Sequence, residues 1–363
     1  LWATSCTDPG DDDDDAGPPT AHSAFVVTSD YSDTVLARVD LDSGAAHDNL
    51  AAFPAGDMVL SIIDEALYLL SRSSEDVLRR YPGGDLSAAP DLEVNTGAGS
   101  NPQRLAACGG HLWVPLYNRS ELAVLDPSDG SLLQTIDLHL WDEGADGSCE
   151  PATIVTIGSS LYVALQRFDL QSLTADPVGR ILEVDCEQRT VTAEWDTERN
   201  PLVRDDPYLP GSLLITEGDF YALDGQVRSL DPATGLFTEA LLSEDQVGGD
   251  FGAIAAVGPH LVASSWQFAA TPPSSSLTCL NRDTGVITDG PAGLSQSLWR
   301  LVAAPDGTVW AGLAPSAAEP TAEHGIMVID PATCEEVEGA GYSFVLPPTD
   351  FAFLETAGAA ASN

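Results

Sequence analysis

The stretch Leu122-Ala123-Val124-Leu125-Asp126-Pro127-Ser128-Asp129-Gly130-Ser131-Leu132-Leu133-Gln134-Thr135-Ile136 decides the fold. An apolar run ends in Asp-Pro-x-x-Gly, and a second run follows at once. Each residue type has a local reason: Asp accepts hydrogen bonds from the amides after it, Pro presets φ, and Gly takes the left-handed position of a tight hairpin. The unit returns at Leu230-Asp231-Pro232-Ala233-Thr234-Gly235 and Ile329-Asp330-Pro331-Ala332-Thr333-Cys334. Looser copies are Val39-Asp40-Leu41-Asp42-Ser43-Gly44, Val184-Asp185-Cys186-Glu187 and Leu280-Asn281-Arg282-Asp283-Thr284-Gly285. These acids read as turn formers, not catalytic groups.

Upstream of each turn lies a second element: an apolar strand, a Gly- or Asp-containing turn, and a strand carrying an aromatic or branched residue. Examples are Cys108-Gly109-Gly110-His111-Leu112-Trp113, Ile157-Gly158-Ser159-Ser160-Leu161-Tyr162 and Pro305-Asp306-Gly307-Thr308-Val309-Trp310. Each period thus holds four strands. Anchors at Tyr68, Trp113, Tyr162, Tyr221, Val262 and Trp310 are 45, 49, 59, 41 and 48 residues apart, the period of a four-stranded propeller blade. The two ends complement each other. Phe25-Val26-Val27 through Val39-Asp40 lacks a leading strand, and Pro348 to Leu354 is a leading strand with nothing after it. The expected fold is an all-β, seven-bladed β-propeller over residues 24–356, closed by pairing the C-terminal strand with the N-terminal ones, which removes exposed sheet edges.

The pattern of Gly110 to Val114 followed by Leu122 to Ile136 resembles the YVTN and quinoprotein-like class of propeller repeats. The resemblance implies the fold and leaves the activity open, since that class includes surface binding proteins, lactonases, lyases and dehydrogenase subunits.

The charge is extreme. There are 56 Asp and Glu against 14 basic residues, for a net charge of -42, and every basic residue is Arg. Nucleic acid is excluded as a partner, because no Arg cluster in the sequence exceeds the pair Arg79-Arg80. Such a surface suits a saline environment or follows from an acidic secretome.

Residues 1–23 read as the remnant of a signal peptide, a lipobox-like Cys6 open to lipidation, and an acidic tether running through Asp11 to Asp15; residues 357–363 read as a disordered tail. The expectation is an exported monomer, periplasmic or at the cell surface, touching membrane only through a lipid anchor. The remaining cysteines are Cys108, Cys149, Cys186, Cys279 and Cys334. Their spacing argues against a thiolate zinc site and for one or two disulfides with a thiol left over.

Residues just before the innermost strands converge on one mouth of a propeller channel. From sequence these are Asp57, Asn101, Glu150, Pro210, Asp250, Trp299 and Asp350. Four are carboxylates, a set suited to Ca²⁺ or a cationic ligand. Acids are also dense from Trp141 to Glu150, where the loop lacks EF-hand register. The candidate metal residues are therefore Asp142, Asp146, Glu150, Asp250 and Asp350, set against the plainer reading that they are solvated. No nucleophile elbow, H-E-x-x-H or P-loop occurs. Two functions remain open: a non-catalytic binding or protein-interaction module, with residues 166–179 and 197–209 as insertions building a binding face, or a divalent-metal-dependent hydrolase or lactonase at the channel mouth. A quinoprotein dehydrogenase would need Arg and Trp groups around a cofactor, and the sequence does not place them.

Overall fold

The Asp-Pro-x-x-Gly units form six equivalent turns. The computed structural model describes residues 22–355 except 55, 73–74, 143–146, 170–173, 176–177, 220–221, 268–273, 293, 295 and 317–318. In it, the amides of Gly44, Gly130, Arg189, Gly235, Gly285 and Cys334 each donate to the carbonyl four residues earlier at 2.8 Å. All six closing residues have φ between 55° and 73°. The leading Asp side chain also accepts from the amide two residues on, as Asp126 does from Ser128 at 2.8 Å and Asp330 from Ala332 at 2.8 Å. The left-handed conformation is thus built into the turn, and Arg189 and Cys334 adopt it without being glycine.

Each turn joins the third to the fourth strand of an antiparallel sheet. Seven such blades form the propeller, their innermost strands being Pro348–Glu355, Met58–Ile63, Ala106–Cys108, Pro151–Ile157, Pro201–Asp205, Asp250–Val257 and Ser297–Ala303, here blades 1 to 7 in that order. Blade 1 closes the ring as the sequence predicts: Pro348–Glu355 pairs antiparallel with His22–Ser29, with Val26 opposite Phe351 and Ser23 opposite Leu354.

Strand alternation explains the packing. In the third strand of blade 3, Leu122 and Val124 pack towards blade 4 beside Leu161 and Val184, while Ala123 and Leu125 pack towards blade 2 beside Tyr68 and Leu78. Blade 2 divides likewise, with Tyr68 and Leu70 facing blade 3 and Leu67 and Leu69 facing blade 1. Seven apolar clusters result, one between each neighbouring pair of blades. A sheet with period-2 side chains buries both faces in this way, so the core is a ring of interfaces rather than one centre.

Among the described residues, two blade interfaces carry disulfides. Cys108–Cys186 links blades 3 and 4, and Cys279–Cys334 links blades 6 and 7, while Cys149 is a buried free thiol.

Blade 5 corrects the sequence register. Its innermost strand, Pro201–Asp205, lies within the segment 197–209 expected to be an insertion, and its second strand is Leu213–Glu217, upstream of the Tyr221 anchor. Pro210 therefore follows the innermost strand of blade 5 instead of preceding it. Trp299 and Asp350 lie within their strands. Cys6, the acidic tether, Asp146 and the tail from 357 lie outside the described residues, as does part of 166–179.

Candidate functional site

Closing a ring of sheets turns one row of side chains from each innermost strand towards a common axis. Arg204 comes from the innermost strand of blade 5, Arg300 from that of blade 7, Arg104 from just before that of blade 3, and Arg72 from just after the second strand of blade 2. All four line one cavity of about 540 Å³. Arg72, Arg104 and Arg300 also line an adjoining cavity of about 370 Å³ with Tyr31, Trp266 and Trp299 in its wall. Tyr31 and Trp299 pack with their ring centres 5.6 Å apart and their planes tilted by 48°. A chain with 14 basic residues and a net charge of -42 therefore spends four of its arginines on one channel.

Two of these charges share one carboxylate. Asp350, whose side chain is 2% exposed, lies 2.7 Å from Arg104 and 2.8 Å from Arg300. It also accepts the Leu60 amide at 3.0 Å. Burial alone would raise its carboxyl, but Arg104, Arg300 and that amide together hold it below the ordinary value. Arg72 is engaged by Asp57 at 2.5 Å and donates to Gln103 at 3.1 Å.

Arg204 has no such partner among the described residues. Burial pulls its guanidinium down to about 9, Arg300 and Arg104 add repulsion, and Asp205 offsets only part of this. Arg300 is lowered for the same first reason, against which Asp350 acts. Arg204 is thus a cation held in an unfavourable place. A planar fork of N–H donors in the wall of a cavity suits a carboxylate or phosphate oxyanion.

Beside this channel lies a smaller cavity of about 100 Å³ of opposite sign, lined by Glu217, Asp219, Glu244 and Asp250. Gln166 and Leu202 belong to the walls of both. Glu217 is buried and bound by Arg228 at 2.7 Å. Glu244 accepts from the Gly225 amide at 2.7 Å and the Phe251 amide at 2.9 Å. Burial nevertheless pushes it up to about 7, and the nearby Asp250 and Asp224 add to the rise.

The candidate metal residues are distributed over several places. Asp350 belongs to the arginine cluster and Asp250 to the acidic cavity. Glu150 and Asp142 lie near the Cys149 thiol, which burial and then those two charges push up to about 12, against a hydrogen bond with Ser120 that lowers it. Among the described residues, no three His, Cys, Asp or Glu side chains are grouped to hold a metal ion. Sequence reasoning looked for carboxylates at the mouth and missed the arginines. Their signal was available only as scarcity: with so few cations, any that fall on innermost strands stand out.

No protein-family model matches the chain, and no curated protein resembles it in sequence. Solved structures do resemble it in fold. A 6-phosphogluconolactonase-like protein of Bacteroides fragilis superposes with a TM-score of 0.61 at 14% identity, over 92% of this chain and 97% of the other. Dihydro-heme d1 dehydrogenase NirN gives 0.56 at 15% identity, over 94% and 77%. A streptogramin B lyase gives 0.53 at 13% identity, over 82% and 92%. At such identities the likeness is one of fold alone.

Proposed function

We propose that this propeller is a binding protein for a small organic anion, which it holds in the central channel through Arg72, Arg104, Arg204 and Arg300. The observation that carries the reading is Arg204: a guanidinium placed beside two others, with no ion-paired carboxylate of its own among the described residues, supports an anionic guest as the missing countercharge. The wall formed by Tyr31 and Trp299 adds an apolar surface for the body of such a guest. The two disulfides support export to an oxidising compartment, where the protein would meet its ligand outside the cytoplasm. Anchoring through Cys6 belongs to the same reading.

The test is thermal denaturation with phosphate, acetate, glutarate or citrate at constant ionic strength, for the wild type and Arg204→Gln. The expected result is that at least one carboxylate or phosphate raises the wild-type melting temperature. Arg204→Gln should melt no lower than wild type without ligand, because it removes repulsion, yet lose the response. An equal response in both proteins, or none in the wild type, would remove the reading.

A further inference from the structure

The acidic cavity next to the arginines poses a separate question, because Glu244 in its wall has been taken out of water with no cation beside it among the described residues. Among the described residues Glu217 pairs with Arg228, and Asp219, 28% exposed, lies 3.8 Å from Arg199. Glu244 is 2% exposed and has no cationic partner among the described residues. A buried carboxylate in that state is costly, and its two backbone hydrogen bonds do not supply a countercharge.

A second observation points into the same space. Asn200 is 8% exposed, and its Oδ1 accepts no hydrogen bond. Oδ1 of Asp219 is likewise buried and without a hydrogen bond. Both residues line the cavity. Buried acceptors left without donors are uncommon in folded proteins, and two at one cavity that also holds Glu244 call for a donor from outside.

The chemistry of that donor follows from the spacing. A divalent metal needs its oxygens gathered at about 2.3–2.6 Å from one point, and the described acids are not so grouped. An ammonium group places its three N–H donors in hydrogen bonds of about 2.8 Å and accepts more widely spread partners. A cavity of about 100 Å³ has room for that group. Its wall is continuous with the arginine channel through Gln166 and Leu202.

We propose that the acidic cavity receives a primary ammonium group, so that the ligand is a small zwitterion of the amino-acid class with its acid end among the arginines and its amine against Asn200, Asp219 and Glu244. This rests on the anion reading of the channel. Glu244, raised by burial, would then become fully ionised as the ligand binds.

The experiment is calorimetric titration at pH 7.5 with matched pairs of compounds. Glycine, β-alanine, 4-aminobutyrate, 5-aminopentanoate and glutamate are compared with acetate, propionate, butyrate, pentanoate and glutarate. At least one amino compound is expected to bind wild type tenfold or more tightly than its partner, and the ratio should fall towards one in Glu244→Gln. Asn200→Asp, which adds charge without changing shape, should widen the ratio. If every pair binds wild type within twofold, or the preference survives in Glu244→Gln, the ammonium site is overturned while the anion reading stands on the amine-free acids alone. If the amine-free acids bind wild type and Arg204→Gln equally, the anion reading fails. If nothing in the series binds, both fail.

Discussion

Replacing Asp350 by Asn tests the electrostatics of the channel most directly. The substitution keeps the shape and removes one buried negative charge flanked by two guanidiniums at 2.7 and 2.8 Å. The Asn oxygen can still accept the Leu60 amide, but its NH₂ then faces a guanidinium, donor against donor. With charge centres about 4 Å apart, each lost attraction is about 4 kcal/mol at an effective dielectric near 20. Part of this returns as relief from burying the carboxylate, and breaking such a pair costs about 3–5 kcal/mol net. The cost here should sit at the upper end, because Arg204 and Arg72 remain to repel the two released cations. Equilibrium unfolding in urea, which adds no salt, measures the loss. The sign with pH follows from the depressed carboxyl: the stabilisation is present above the ordinary value of 3.8 and disappears as pH falls through the lower folded value. The variant should also gain more from added phosphate than wild type, since the anion can replace the missing charge. A loss below about 1 kcal/mol, with no extra gain from phosphate, would refute the account of Asp350 as the internal counterion of the cluster.

Glu244 should behave in the opposite sense: raised in the folded state, it gives stability that is present below about pH 4.5 and lost as pH rises through about 7, so urea unfolding of wild type relative to Glu244→Gln should weaken across that interval. Replacing both Cys279 and Cys334 by Ser opens a loop of 55 residues, for which chain entropy predicts a loss of about 4 kcal/mol by the same assay. The repeated turns offer a paired control. Gly285→Ala meets only the strain of φ 70° in open space and should cost about 1 kcal/mol, whereas the Cβ of Gly130→Ala would lie 2.2 Å from Val94 of blade 2 and should cost about 1–3 kcal/mol more. Finally, stopped-flow association of an anion that binds the channel should speed up as salt is raised, because screening removes the repulsion of a -42 body while the half-buried arginines of the channel are less affected.

The turns were legible because their chemistry is local: Asp, Pro and Gly act within five residues, and six copies fix the period. Ring closure was legible because the two ends hold complementary parts of one blade. Blade 5 was misplaced for a physical reason. Its innermost strand, Pro201-Leu202-Val203-Arg204-Asp205, is five residues long and ends in the charged pair Arg204-Asp205, leaving Leu202 and Val203 as a short apolar signal. The same residue that hid the strand is central to the site. The cluster was not legible because Arg72, Arg104, Arg204 and Arg300 are far apart in the chain and meet only once the ring closes. Asp350 was singled out as an acid at the mouth, and its meaning changed when its neighbours proved to be cations.

The strand that completes blade 1 has a consequence for the order of assembly. His22 finds its partner Glu355 across nearly the whole chain, the most distant strand pairing among the described residues and one whose loop-closure cost is met last. Blades 2 to 7 can each form from contiguous sequence, but the arginine channel takes its final shape only when Asp350 arrives on that last strand. A chain still emerging from the ribosome therefore carries Arg104 and Arg300 without the carboxylate they share. The pairing of those two guanidiniums is deferred until the ring closes.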